Sequence, residues 1–284
     1  MINNKNTNIF ITGCSTGIGL NALQTLHQLG YFVIGSCRKE KDVETLKQQG
    51  FNCIQLDLAC SESIQTAMTK LKELTNNKVD VLFNNGAFGL PGAVEDLSRE
   101  AMQFQFNTNV FGTQELTNQV VPIMRKNGGG KIIYNSSILG FAAMQYRGAY
   151  NASKFAIEGF ADTLRLEVKQ DNIHISLIQP GPIISNFRIN AFEQFKHWIN
   201  YQNSAHQNNY QAMIARLKEP ESNAPFTLNP DAVTKAILHI VEHNKPKIRY
   251  PITLPTIVFS WLKRILPIRA LDLLLMKAGG DGKR

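Results

Sequence analysis

Short apolar runs rich in β-branched residues alternate, over the first 180 residues, with longer stretches whose apolar positions recur every three or four. The runs 9–11, 32–36, 52–56, 79–83, 131–134 and 174–178 predict strands, and the stretches 17–29, 41–49, 61–74, 99–126 and 150–170 predict helices. Pro122 predicts a kink or local break within 99–126, because proline removes one backbone donor and clashes with the preceding turn. Alternation of this kind predicts an α/β fold, a doubly wound parallel sheet between two layers of helices.

Beyond Gly181 the pattern changes. Residues 186–229 are rich in Asn and Gln and carry Phe187, Phe192, Phe195, Trp198, Tyr201 and Tyr210. A segment this long after the sixth strand predicts a substrate lid. Phe192, Phe195 and Ile199 have helical spacing; they serve equally well to cement the segment to the domain or to wall an apolar pocket. Residues 230–242 predict a further helix and 247–252 an added strand. The segment 256–284 holds Lys263, Arg264, Arg269 and Asp272, with Pro267 among them, too many charges for a bilayer span. It predicts two short amphipathic helices. One has Val258, Trp261, Leu262 and Ile265 opposite Ser260, Lys263 and Arg264; the other has Leu271, Leu274 and Leu275. The expected organisation is one domain over 1–255 and a basic tail over 256–284.

With 284 residues, 43% of them hydrophobic, the chain can bury one large core. Its net charge of +8 is concentrated at one end: from Lys245 onward nine basic residues face only Asp272 and Asp281, which leaves the rest at +1. That distribution argues against a nucleic-acid-binding face and assigns any anionic partner to the tail. Trp and Leu beside Lys and Arg suit an interfacial helix on anionic membrane, while the same stripe suits docking on its own domain or on a second subunit of a homo-oligomer. Both remain open. Cys14, Cys37, Cys53 and Cys60 form no C-x-x-C pair, and residues 1–8 carry no secretory pattern. These features predict reduced thiols and a cytoplasmic protein, peripheral on the inner face of the membrane if the tail meets lipid.

Candidate chemistry starts from Tyr150 and Lys154, four residues apart and so on one face of a predicted helix. A phenol of pKa ~10 beside an ammonium of pKa ~10.4 is expected to titrate lower, because the cation favours the phenolate. So tuned, it could exchange a proton near neutral pH. Tyr134 and Tyr146 have no lysine at that spacing. Ser137 lies thirteen residues before Tyr150, just past the 131–134 strand. Near the start, Thr12-Gly13-Cys14-Ser15-Thr16-Gly17-Ile18-Gly19 links a predicted strand to a predicted helix. Glycines there permit a tight turn, and the helix N-terminus offers N–H groups to a pyrophosphate.

Together these features resemble the short-chain dehydrogenase/reductase family in its single-domain form, over nearly the whole chain. Thr12 to Gly19 is similar to the family's glycine motif, Asn84-Asn85-Gly86-Ala87 to the motif after its fourth strand, and Asn109 to its structural asparagine. Ser137, Tyr150 and Lys154 match the rest of its catalytic tetrad, and Pro180-Gly181-Pro182-Ile183 the loop beside the nicotinamide. The resemblance implies a Rossmann-like fold and hydride transfer between a nicotinamide cofactor and a carbonyl/alcohol pair. It gives Tyr150 the proton, Ser137 a hydrogen bond to the carbonyl oxygen, Lys154 the electrostatic support and the ribose, and Asn109 a water relay to Lys154. It implies cofactor contacts at Gly13, Ser15, Thr16, Gly17, Ile18, Gly19, Asp57, Leu58, Asn85, Gly86, Ala87, Tyr150, Lys154, Pro180, Gly181, Ile183 and Ser185. Where the family carries the acid that selects NAD, this chain has Cys37 followed by Arg38. A guanidinium can pair with a 2′-phosphate, so NADP is expected. Bacterial aldehyde and hydroxysteroid-type reductases are the nearest resemblance, and the aromatic lid makes an apolar aldehyde or ketone the expected substrate. The alternatives are a hydroxysteroid or retinol-type alcohol, or a lipid carbonyl reduced by a membrane-peripheral enzyme.

Two departures matter. The family's Asn-Asn-Ala-Gly reads Asn84-Asn85-Gly86-Ala87, so Ala87 is expected to adopt dihedrals that a glycine would have had. Ser185 replaces the usual threonine. His239-Ile240-Val241-Glu242-His243 matches a zinc-protease pattern, but no glutamate follows Glu242, and no metal site is expected. Gly128-Gly129-Gly130-Lys131 lacks the Ser or Thr of a phosphate-binding loop and predicts a turn feeding a strand.

Overall fold

The computed structural model describes residues 6–218 and 225–280. The outermost parts of the expected domain (1–5) and tail (281–284), and 219–224 of the expected lid, lie outside the described residues. Seven parallel strands form one sheet: β1 (Asn8–Ile11), β2 (Phe32–Cys37), β3 (Asn52–Gln55), β4 (Val81–Asn84), β5 (Gly130–Asn135), β6 (Ile173–Gln179) and β7 (Arg249–Pro251). Their order across the sheet is β3-β2-β1-β4-β5-β6-β7. Winding reverses between β1 and β4, and a crevice opens at the carboxyl ends of the strands there.

Alternation along β1 builds both cores. Phe10 points to the layer formed by α3 (Ser61–Thr75), α5 (Thr113–Lys126) and α6 (Gly148–Glu167). Ile9 and Ile11 point to α1 (Gly17–Gln28), α2 (Glu40–Gln48) and α9 (Asp231–Glu242) on the opposite face. Each helix contributes a stripe at three- and four-residue spacing, such as Ile64, Met68 and Leu71 of α3. The remaining helices are α4 (Arg99–Phe106), α7 (Phe187–Trp198), α8 (Gln207–Lys218), α10 (Leu254–Ile265) and α11 (Ile268–Ala278).

The expected break at Pro122 is displaced. The 99–126 stretch changes geometry at Asn107–Gly112, a π-helical turn between α4 and α5, and α5 runs on past Pro122. Asn118, whose carbonyl loses its donor at Pro122, is exposed, as is the proline itself, so water can serve that carbonyl. At Gly112 an added Cβ would lie 1.7 Å from the Leu58 carbonyl oxygen. The helical backbone thus rests directly on the loop after β3.

The tail does form two helices, and the expected stripes turn inward only in part: Leu271 and Leu275 of α11 are packed on the domain and Val258 of α10 stands in a cavity wall, while Phe259, not on the expected stripe, is packed as well. Phe259, Leu271 and Leu275 pack against Ile138, Leu139 and Ala142. Val258, Trp261, Ile265 and Leu274, expected on the docking stripes, are exposed. Helix α10 is apolar around most of its circumference, so spacing alone could not select the buried side. No helix among the described residues is long and apolar enough to cross a membrane.

Candidate active site

Hydrogen bonds stitch together the loops at the β1/β4 crevice. Thr12 Oγ1 accepts from the backbone N–H groups of Asn85 (2.9 Å) and Gly86 (2.8 Å). The Asn85 amide donates to the Thr12 carbonyl at 2.8 Å and accepts from Asn135 Nδ2 at 2.9 Å. The glycine loop is fixed by contact. A Cβ on Gly19 would lie 2.2 Å from the Gly13 carbonyl oxygen, and Gly17 has φ +62°. Thr16, at the N-cap of α1, makes no side-chain capping bond. The first-turn N–H groups are thus not capped by Thr16.

Helix α6 carries Tyr150 and Lys154, the pair expected to move the proton. Lys154 is buried; its Nζ donates to the Asn135 carbonyl at 2.6 Å and lies 5.6 Å from the centre of the Tyr150 ring. Ser137, just beyond β5, accepts from Leu139 N–H at 3.1 Å. The lowered tyrosine pKa expected from the sequence is reversed. Burial pushes the Tyr150 phenol up, against the hydrogen bond with Ser137 and the positive charge of Arg147, which pull it down. Burial also brings Lys154 down to about 8, opposed by Glu158 one turn along α6. Desolvation thus sets both shifts, and Lys154's nitrogen is directed at a carbonyl rather than at the phenol.

Ser137, Tyr150 and Lys154 share one cavity of about 1430 Å³ with Gly13, Ser15, Thr16, Ile18, Asn85, Gly86, Ala87, Pro180, Gly181, Ile183 and Ser185. Gly17, Gly19, Arg38, Asp57, Leu58 and Asn109 are not in its wall. Gly17 and Gly19 shape the loop from behind. Arg38 is exposed at the end of β2, while Cys37 turns inward to within 3.9 Å of the Cys53 sulfur. Asp57 Oδ1 accepts from Ala59 N–H at 2.9 Å, and Leu58 packs under Gly86. Asn109 sits in the π turn with its side chain engaged by Phe88 (N–H to Oδ1 3.1 Å, Nδ2 to carbonyl 2.9 Å) and Ser153 (3.2 Å). These groups hold the loop after β4 to α6; the side chain has no bond to Lys154.

Ala87 needs no glycine-like backbone, because its φ is not positive. Gly86 needs space instead: a Cβ there would meet Leu58 Cδ1 at 3.0 Å. Among the lid aromatics singled out in the sequence, Phe187 alone lines the cavity, with its ring centre 5.3 Å from that of Tyr150. Phe195 and Tyr210 are fully buried in a cluster with Leu90, Ala101 and Met213, to which Phe192, Trp198 and Tyr201 are added. These rings cement α7 and α8 to the domain. Tyr146, in the left-handed region at φ +58°, bonds His206 (3.1 Å) and is held away from the proton-transfer role. Sequence reasoning missed three half-buried wall residues, Arg147, Arg188 and Arg216, and the contribution of Leu254, Val258 and Phe259 from α10. Arg147, three residues before Tyr150 at the start of the same helix, was the one with a readable signal.

A model of the short chain dehydrogenase family matches residues 7–196. The Escherichia coli (strain K12) protein named "Uncharacterized oxidoreductase YbbO" is 38% identical over 267 residues, 94% of this chain and 93% of that protein. Human retinol dehydrogenase 8 is 34% identical over 254 residues, covering 85% and 79%. A Burkholderia phymatum short chain dehydrogenase/reductase solved in complex with NAD has the same fold, with a TM-score of 0.76, 22% identity and 97% of both chains covered. With its parallel sheet, its glycine-shaped crevice and these relatives, the chain belongs to the short-chain dehydrogenase/reductase family and is an NAD(P)-dependent oxidoreductase.

Proposed function

We propose that this enzyme uses NADP to interconvert an apolar aldehyde or ketone with its alcohol, with Tyr150 as the proton donor and acceptor. The observation that carries this reading is the Tyr150 phenol in the cavity wall, with Ser137 in the same wall and Lys154 behind the ring. Bound NADPH would supply the hydride. It would be held by the uncapped first turn of α1, the Gly13–Ile18 loop and the Pro180–Ser185 loop. Burial keeps Tyr150 protonated at neutral pH, the state that an acid acting on a carbonyl oxygen requires. Ser137 orients that oxygen, and Lys154, held on the Asn135 carbonyl, supplies positive charge behind the phenol ring.

NADP over NAD rests on Arg38. No carboxylate ends β2, the Cys37 thiol is buried, and the Arg38 carbonyl is held by Gln55 Nε2 at 3.0 Å. An apolar substrate is supported by Ile184, Phe187, Met213, Val258 and Phe259 in the wall. The name of the human relative favours a second reading, a retinol-type alcohol as substrate. Exposed Phe111, Phe155 and Phe160 give a homo-oligomer an apolar surface, and the +7 carried from Lys245 onward supports peripheral contact with anionic membrane. Absorbance at the NADPH band with long-chain, aromatic and steroid carbonyls, run in parallel with NADH, tests the assignment. Arg38→Asp should shift preference toward NADH; an unchanged ratio would overturn the NADP reading.

A further inference from the structure

Helices α10 and α11 are two-sided. Inward, Leu254, Val258 and Phe259 of α10 stand in the wall of the cavity that holds Tyr150, and Ala278 closes the wall from α11. Phe259 and Leu275 also rest on the turn immediately after Ser137. Outward, Ile257, Trp261, Ile265 and Ile268 are 40%, 62%, 70% and 77% exposed. That is an unusual concentration of large apolar side chains in water over two short helices. Cations accompany them. The Arg264 guanidinium lies 5.8 Å from the Trp261 ring and the Lys263 ammonium 5.2 Å from the Phe155 ring. Arg269 and Lys277 are exposed too, with Asp272 the acid among the described residues of the pair.

A second copy of the chain seated on this face by a twofold axis would bring two strongly basic segments together, which like-charge repulsion disfavours. An anionic phospholipid surface instead matches both the apolar side chains and the flanking cations. The helices, 12 and 11 residues long, would lie on such a surface rather than cross it. Leu254 and Val258 then become informative, because each lines the cavity and is also exposed, at 52% and 42%. They form a rim where the cavity meets the same helices that carry the apolar outer face.

We propose that α10 and α11 seat the cavity mouth on anionic membrane and form its entrance, through which the enzyme takes carbonyl substrates dissolved in the bilayer. This rests on the carbonyl-reductase reading above, and the assay separates the two. The full chain and the double variant Trp261→Ser/Ile265→Ser, whose changed side chains lie outside the cavity wall, are sedimented with two kinds of vesicle: phosphatidylcholine alone, or with about a third phosphatidylserine. NADPH consumption is followed with a long-chain aldehyde carried in the anionic vesicles and with a short water-soluble aldehyde. The wild type should bind only the anionic vesicles and release in about 0.5 M salt, where screening is strong. The variant should keep its rate on the soluble aldehyde within about twofold and lose about tenfold or more on the vesicle-borne one. Equal losses on both substrates, or none on either, overturn the entrance. Wild-type binding to neutral vesicles as strong as to anionic ones overturns the electrostatic seat. A variant that changes oligomeric state without vesicles and sediments like the wild type with them assigns the face to a second copy and overturns the proposal. Vesicle binding with no NADPH consumption on any carbonyl overturns the reductase reading, and the entrance with it.

Discussion

Tyr150 sits where two opposing effects on one proton can be separated by substitution. Tyr150→Phe keeps the ring that faces Phe187 and removes the proton; carbonyl reduction is expected to fall ~10²-fold or more while NADPH binding, followed by fluorescence titration, survives. Arg147 lowers the phenol's pKa and burial raises it. Arg147→Met should therefore raise that pKa further. In the alcohol-oxidising direction, where Tyr150 must be deprotonated, the rising limb of the pH–rate profile should move to higher pH; a limb that stays in place would mean that Arg147's charge does not reach the phenol. Gly19→Ala is a steric test of the same crevice. With the Gly13 carbonyl 2.2 Å from the added Cβ, the loop must shift, and nucleotide affinity should drop sharply in a titration even if the fold survives.

Helix α6 ties this chemistry to the sheet. One turn beyond Lys154, Glu158 accepts from Ser136 Oγ (2.6 Å), Gln179 Nε2 (2.8 Å) and Arg249, whose Nη2 lies 3.1 Å away; Arg249 also bonds Asp162 at 2.6 Å. The network joins β5, α6, β6 and β7 behind the active centre. Glu158→Gln leaves Arg249 half-paired in a partly buried place and is expected to cost about 2–3 kcal/mol. The corresponding fall in Tm, read by calorimetry, is about 3–5 °C for a chain of this size. Much at this scale was legible in the sequence. The alternating strands and helices, and the Tyr150–Lys154 spacing on α6, follow from local periodicity. What escaped it depends on neighbours distant in sequence. Helix α10 is apolar on several sides, and contacts with the turn at Ile138–Gly140 and with Gly181, both distant in sequence, accompany the side that is buried. The direction of the Tyr150 shift depends on how completely the surrounding loops exclude water, which spacing along one helix does not encode. The bond pattern of Asn107–Gly112 depends on the approach of the loop after β3.

Across the whole molecule, the active centre is closed by segments far apart in the chain: the loop after β4, the α7–α8 pair and the C-terminal helices. Removing everything after Pro255 would uncover Ile138, Leu139 and Ala142 and open one side of the cavity. The truncated chain should melt lower by about 5 °C or more, and its rate should fall on long apolar carbonyls more than on short ones. A loss shared equally by both would point to general loosening of the fold. The continuity of the cavity has a kinetic consequence. On the proposed reading, the Gly13–Ile18 and Pro180–Ser185 loops hold the coenzyme, while Leu254 and Val258, both exposed, stand at the rim. A carbonyl that arrived first would stand in the coenzyme's way and find no hydride donor beneath it. Turnover should therefore follow a compulsory order, coenzyme first on and last off. The oxidised coenzyme should compete with the reduced one, and the alcohol product should not.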